Sequence, residues 1–176
     1  MLSLRKISNM LSQMLLLVFS RMVSAVLGGN VSAGNYVLRE MSQKRGGFLT
    51  FILTMAVSDY LFRDIFGGLT LLSAIALYSS HLGVWMFYQK CGKYDGFRNH
   101  LTTVWTGAFI FYLISNFGVY VSGFMYPMNF EGFVMCYIMG LPFLVRPLLA
   151  DLFFVSLQHS HSFSSVWRDP SLCFER

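Results

Sequence analysis

Two stretches of this chain, residues 65–89 and 99–130, contain no Asp, Glu, Lys or Arg. A third, residues 132–157, is interrupted only by Arg146 and Asp151. About twenty mostly apolar residues cross the hydrocarbon core of a bilayer as a helix. In water, runs this long need polar cover from the rest of the chain. Here charged residues make up 12% of 176, against about a quarter in soluble domains. A soluble enzyme is therefore excluded. Disorder is excluded as well, because 17% of the residues are aromatic. The expected fold class is all-α: a polytopic membrane protein with three to four transmembrane helices plus an N-terminal amphipathic helix.

Spans are expected near 47–62, 66–88, 101–124 and 132–157. Tyr126-Pro127-Met128-Asn129 is turn chemistry and separates the last two. The segment 47–62 is short and holds Asp59, so it reads either as a short span or as a surface helix. Loop charges favour four spans. Segments 39–45 and 90–98 each carry three bases and one acid, whereas 125–131 carries Glu131 and no base. Basic loops then alternate with non-basic ones, as the positive-inside rule requires.

Residues 1–38 form the first unit. No acid occurs before Glu40, while Arg5, Lys6, Arg21 and Arg39 are basic. On a helical projection Arg5, Ser8, Asn9, Ser12, Gln13, Ser20 and Ser24 share one arc, with Ile7, Met10, Leu11, Met14 and Val18 opposite. A basic, acid-free amphipathic helix of this kind is the pattern of an organellar import signal or of an interfacial anchor. A fifth span is the third reading. Gly28 to Asn35 is expected to be a loop, because Gly and Asn break helices. Residues 39–157 are the transmembrane domain, and 158–176 a polar tail.

The residues that could carry chemistry are few. Asp59 and Arg63 stand i, i+4, acid first, and are expected to form an ion pair on one helix face. Arg146 and Asp151 lie inside an apolar segment beside Pro142 and Pro147. A five-residue spacing puts them about 140° apart on a helix of 3.6 residues per turn. They are expected to contact lipid or a neighbouring subunit, together with Arg98 and Lys93. Arg146 lacks the surrounding Leu and Asn pattern of the essential arginine in rotary ATP synthase stator subunits. Ser73, Ala76, Ser80 and Gly83 recur at spacings of 3, 4 and 3, a small-residue face that lets helix backbones approach closely in lipid.

His81 and His100 are the candidates for haem or quinone binding. Their expected depths differ by roughly 10 Å at 1.5 Å per residue, which disfavours a bis-His clamp. Gly96-Phe97-Arg98-Asn99-His100-Leu101 resembles, over six residues, the Gly-x-Arg-His-Leu segment of succinate dehydrogenase membrane anchors. Asn99 is an insertion in that pattern, and no His stands four residues before Gly96. The resemblance would imply a haem or quinone contact at His100.

Cys91, Cys136 and Cys173 show no metal or disulfide spacing. No metal site, phosphate loop or catalytic constellation occurs, so no enzyme activity is expected. The function expected first is a non-catalytic accessory subunit of a large mitochondrial inner-membrane energy-transducing complex, such as a respiratory complex or ATP synthase. Its partners would be other membrane subunits and lipids, with neither nucleic acid nor a small-molecule substrate. No cofactor is expected beyond a bound cardiolipin-like phospholipid. A haem b or quinone-binding anchor, and a small transporter or channel using Arg146, Asp151 and Asp59, are the alternatives. A thylakoid or bacterial inner membrane is the alternative location.

Overall fold

The computed structural model describes residues 4–26, 33–66, 70–91 and 96–168, with side chains over 8–24, 33–64, 70–91 and 96–160. The protein is all-helical over these residues: α1 (Leu4–Val26), α2 (Gly34–Ser42), α3 (Gly47–Leu61), α4 (Arg63–Phe66), α5 (Leu71–Cys91), α6 (Phe97–Ser122) and α7 (Phe130–Arg168). Three segments are long and apolar enough to cross a membrane: Leu71–Cys91, Phe97–Ser122 and Phe130–Ser160. It is a multi-pass membrane protein. At 1.5 Å per residue α3 measures about 22 Å, short of the roughly 30 Å hydrocarbon core.

α6 lies between α5 and α7 and packs along both. Small residues set these contacts. A side chain on Gly118 would collide with Ala76, and one on Gly83 with the Ile114 methyl. Ser80 is fully buried on the same face and donates back to the Ala76 carbonyl at 2.6 Å. Ser73 falls outside the contact; it is exposed and bonds Thr70. Gly123, at φ 67°, ends α6 in a conformation that favours glycine. Pro142 and Pro147 lie inside α7 without ending it.

α1 and α3 run in the same direction. Lys44, just before α3, donates to the Asn9 carbonyl, and Arg21 pairs with Asp59 near the far end of α3. α2 runs against them. The Ala33 N–H at its start donates to Ser20 Oγ at 3.2 Å, and the Ser42 carbonyl at its end accepts from Gln89 near the end of α5. The chain thus enters beside α1, doubles back through α2, and enters again as α3. α2 is a short helix about 13 Å long, in contact with α1, α3, α5, α6 and α7.

α1 is apolar on its exposed side as well as its packed one. Leu17, Ser20 and Ser24 are buried, while Leu11, Leu15, Phe19 and Met22 form an exposed apolar stripe. Leu49, Leu53 and Val57 of α3 are exposed in the same way. The exposed stripe coincides with neither arc: Leu11 comes from the apolar one, Ser8 and Ser12 of the polar one are exposed beside it, and Met14 of the apolar arc packs against the core. Helix α2 also replaces part of the expected 28–35 loop: Gly34 opens it and Asn35 is buried within it. Residues 27–32 lie outside the described residues.

Lys44, Arg45, Lys90 and Arg98 gather at the end of the bundle where α2 and α5 finish and α6 begins. Arg63, Asp64 and Glu131 mark the opposite end. The basic end is the inner one by the positive-inside rule.

Candidate functional site

Nine residues packed against five helices leave α2 little surface. Asn35, Tyr36, Arg39 and Ser42 are all buried with its apolar side chains. Arg39, read from sequence as part of a basic loop, sits inside the bundle. Its Nη1 donates to Glu40 Oε1 at 2.7 Å. Glu40 in turn lies 3.6 Å from His100 Nε2 on α6. The His100 ring stacks on Tyr36, with centroids 5.8 Å apart, and meets the ring of His159 on α7 at 5.7 Å. Tyr36 also stacks on Phe154.

Asp151 closes the cluster from α7. It is fully buried and faces the first turn of α2, by the Asn35 side chain and the Tyr36 N–H. The N–H groups of that turn point toward the carboxyl group. Neither contact reaches standard hydrogen-bond geometry, so both carboxylate oxygens are buried without a partner. The Tyr88 hydroxyl on α5 and His100 Nε2 share that condition. Tyr88 stands near the end of α5, and a helical side chain leans toward the N-terminus of its helix. The phenol is thereby directed into the bundle, where Gly107 of α6 makes room for its hydroxyl.

A second polar group lies deeper. Asp59 pairs with Arg21 through one oxygen and accepts from the Tyr78 hydroxyl at 2.8 Å through the other. The expected Asp59–Arg63 pair does not form. α3 ends at Leu61, so the i, i+4 geometry fails before Arg63 is reached. Arg63 instead approaches Asp64 at 3.6 Å and lies over the Tyr60 ring. His81 is one turn along α5 from Tyr78. It is held by the Leu77 carbonyl at 2.8 Å and walled by Phe51 and Phe111. Tyr78, His81 and Tyr88 thus line one side of α5, with buried Val84 and Phe51 between the two polar groups.

The remaining sequence candidates separate. His81 and His100 have different surroundings, and His100 meets His159 instead. Arg146 is exposed on the outside of α7 while Asp151 faces inward, as their angular spacing requires. Arg98 is exposed at the start of α6. Lys93 lies outside the described residues. Among the described residues no group of three His, Cys, Asp or Glu side chains is placed to hold a metal ion.

Sequence reasoning missed Arg21, Asn35, Tyr36, Arg39, Glu40, Tyr78 and Tyr88. Two signals were present. Asn35, Tyr36, Arg39 and Glu40 have helical spacing within a polar segment, and Tyr78, His81 and Tyr88 interrupt one side of an otherwise apolar helix.

No curated protein and no solved structure matches the chain. Residues 6–165 match the family described as "Family of unknown function (DUF6580)", and because this is most of the chain, the protein belongs to that family.

Proposed function

We propose that this protein is a small membrane carrier or channel that passes protons through its helix bundle, with the α2 cluster as the proton-handling site. The observation behind this reading is the convergence of buried, partnerless polar atoms on the short helix α2. Tyr88, His100 and Asp151 come from three different spans and meet at α2. A buried polar atom without a partner costs about 1–3 kcal/mol, and intramembrane ionisable residues mark ion and proton pathways by default. Half-helices that end inside a bundle are a recurring way to build such sites. His159, His100 and Glu40 lead from the basic end toward Asp151 and Tyr88. Tyr78 and Asp59 continue the line beyond the apolar layer of Val84 and Phe51, which acts as the barrier.

The test is proton uptake by liposomes holding the purified chain, a pH-sensitive dye and potassium, with valinomycin setting an inside-negative potential. The wild type acidifies the lumen faster than protein-free vesicles, and Asp151→Asn and Tyr88→Phe lose most of that rate. A wild-type rate equal to that of empty vesicles refutes the proposal.

A second reading is that of a non-catalytic subunit of a larger membrane assembly, the mitochondrial inner membrane being the proposed location. The outward-facing Arg146 favours an assembly. The acid-free, basic segment before Glu40 favours that membrane.

A further inference from the structure

Arg146 occupies the most costly position of any exposed charge in the described structure. It stands 15 residues past Glu131 (146 − 131) and 13 before His159 (159 − 146). At 1.5 Å per residue these are about 22 Å and 20 Å. Glu131 is exposed in the first turn of α7 at the opposite end, and His159 lies beside Phe97 and His100 at the basic end. Arg146 is therefore close to the midplane. A headgroup phosphate is then roughly 15 Å away, farther than an extended arginine side chain covers. Asp151, five residues on, is turned into the bundle. No hydrogen bond or ion pair of Arg146 occurs among the described residues.

The surface around Arg146 has a definite pattern. Met139, Phe143, Arg146, Phe153 and Leu157 follow at spacings of 4, 3, 7 and 4, and all are exposed; the small Ala150 in the wider gap is on the same face and is buried. That is a heptad seam, the pattern that receives the knobs of a facing helix. Among the described residues, a second copy of this chain offers no exposed carboxylate at that depth. The exposed carboxylates among the described residues are Asp64 and Glu131, both at the opposite end of the bundle. We infer that this α7 seam docks a transmembrane helix of a different polypeptide, one that carries an Asp or Glu at mid-bilayer depth to pair with Arg146. The inference rests on the assembly reading above and specifies the chemistry of the neighbour.

Photo-crosslinking in the native membrane tests it. Full-length chain carrying p-benzoylphenylalanine at Phe153, or in a separate variant at Met139, is irradiated and the crosslinked peptide mapped. The expected product joins α7 to an apolar span of another polypeptide that contains an acidic residue. Arg146→Leu should abolish this product and Arg146→Lys should retain it. Exchanging the two charges between the chains should restore it. A product with lipid alone, with a second copy of this chain, or with a span lacking an acid overturns the inference. So does an unchanged yield in Arg146→Leu. Native electrophoresis separates the two levels. A wild-type chain that migrates alone removes the assembly reading as well, whereas a complex that persists in Arg146→Leu removes only the carboxylate pairing. Among the described residues Arg146 makes no hydrogen bond or ion pair, so Arg146→Leu should keep the wild-type circular-dichroism melting curve.

Discussion

Replacing Arg21 should destabilise the protein far more than replacing Arg63, although sequence spacing assigns Asp59 to Arg63. The Arg21 and Asp59 side chains are 13% and 14% exposed, and Asp59 also accepts from Tyr78. Removing one member of a buried pair leaves an uncompensated charge at a cost of about 3–5 kcal/mol. The residual exposure places Arg21→Leu near the lower figure. Arg63 is 61% exposed and its partner Asp64 is 91% exposed. Exposed pairs are worth about 0–1 kcal/mol, so Arg63→Ala should cost less than about 1 kcal/mol. A double-mutant cycle of Arg21→Leu and Asp59→Leu should return a coupling of about 1–3 kcal/mol. It is best run in a Tyr78→Phe background, because Asp59→Leu alone also strips the Tyr78 hydroxyl of its acceptor. Unfolding in mixed micelles of nonionic detergent and dodecyl sulfate, followed by circular dichroism, supplies the free energies. Equal costs for Arg21 and Arg63, or a coupling near zero, refute the reasoning.

Other consequences follow from the packing. Gly107→Ala places a methyl where the Tyr88 hydroxyl lies, and should cost about 1–3 kcal/mol by overpacking; in the same unfolding assay Tyr88→Phe should recover part of that loss. Gly118→Leu forces α6 away from Ala76, and should disrupt the α5–α6 contact and lower the melting temperature by circular dichroism. Ser73→Leu, on the same helix but outside the contact, should leave that temperature unchanged. Asp151→Asn keeps the shape of a buried side chain, so its melting curve should stay near wild type even as proton flux falls.

How much of this was legible in the sequence differs by segment. The spans α5, α6 and α7 follow from charge-free windows, because lipid imposes a length and a composition on any helix that crosses it. The opposed directions of Arg146 and Asp151 follow from helical angle alone. α2 was not legible, because Gly34, Asn35, Arg39 and Glu40 resemble a turn and a basic loop. Its helical form is stabilised by packing against five neighbours, and no local rule encodes these. The buried and exposed faces of α1 cut across the two arcs read from sequence, because tertiary contacts and not periodicity decide which side packs: Ser20 and Met14 face the bundle, Ser12 and Leu11 face out. The Asp59–Arg63 expectation depended on a helix continuing two residues past its actual end.

The α2 site requires that α1 enter the membrane and that α2 double back inside the bundle. Spin labels at Ser8, Phe19 and Arg45, each through a single cysteine, report depth by their relative collision rates with oxygen and a water-soluble nickel complex. Phe19 lies about 16 Å farther along α1 than Ser8 and is 59% exposed on the apolar stripe. Its label should collide with oxygen and be shielded from nickel, while labels at Ser8 and Arg45 should meet nickel on the same side of the bilayer. A Phe19 label at the same shallow depth as Ser8 would mean that α1 lies along the surface, and would contradict the re-entrant path on which the α2 site depends.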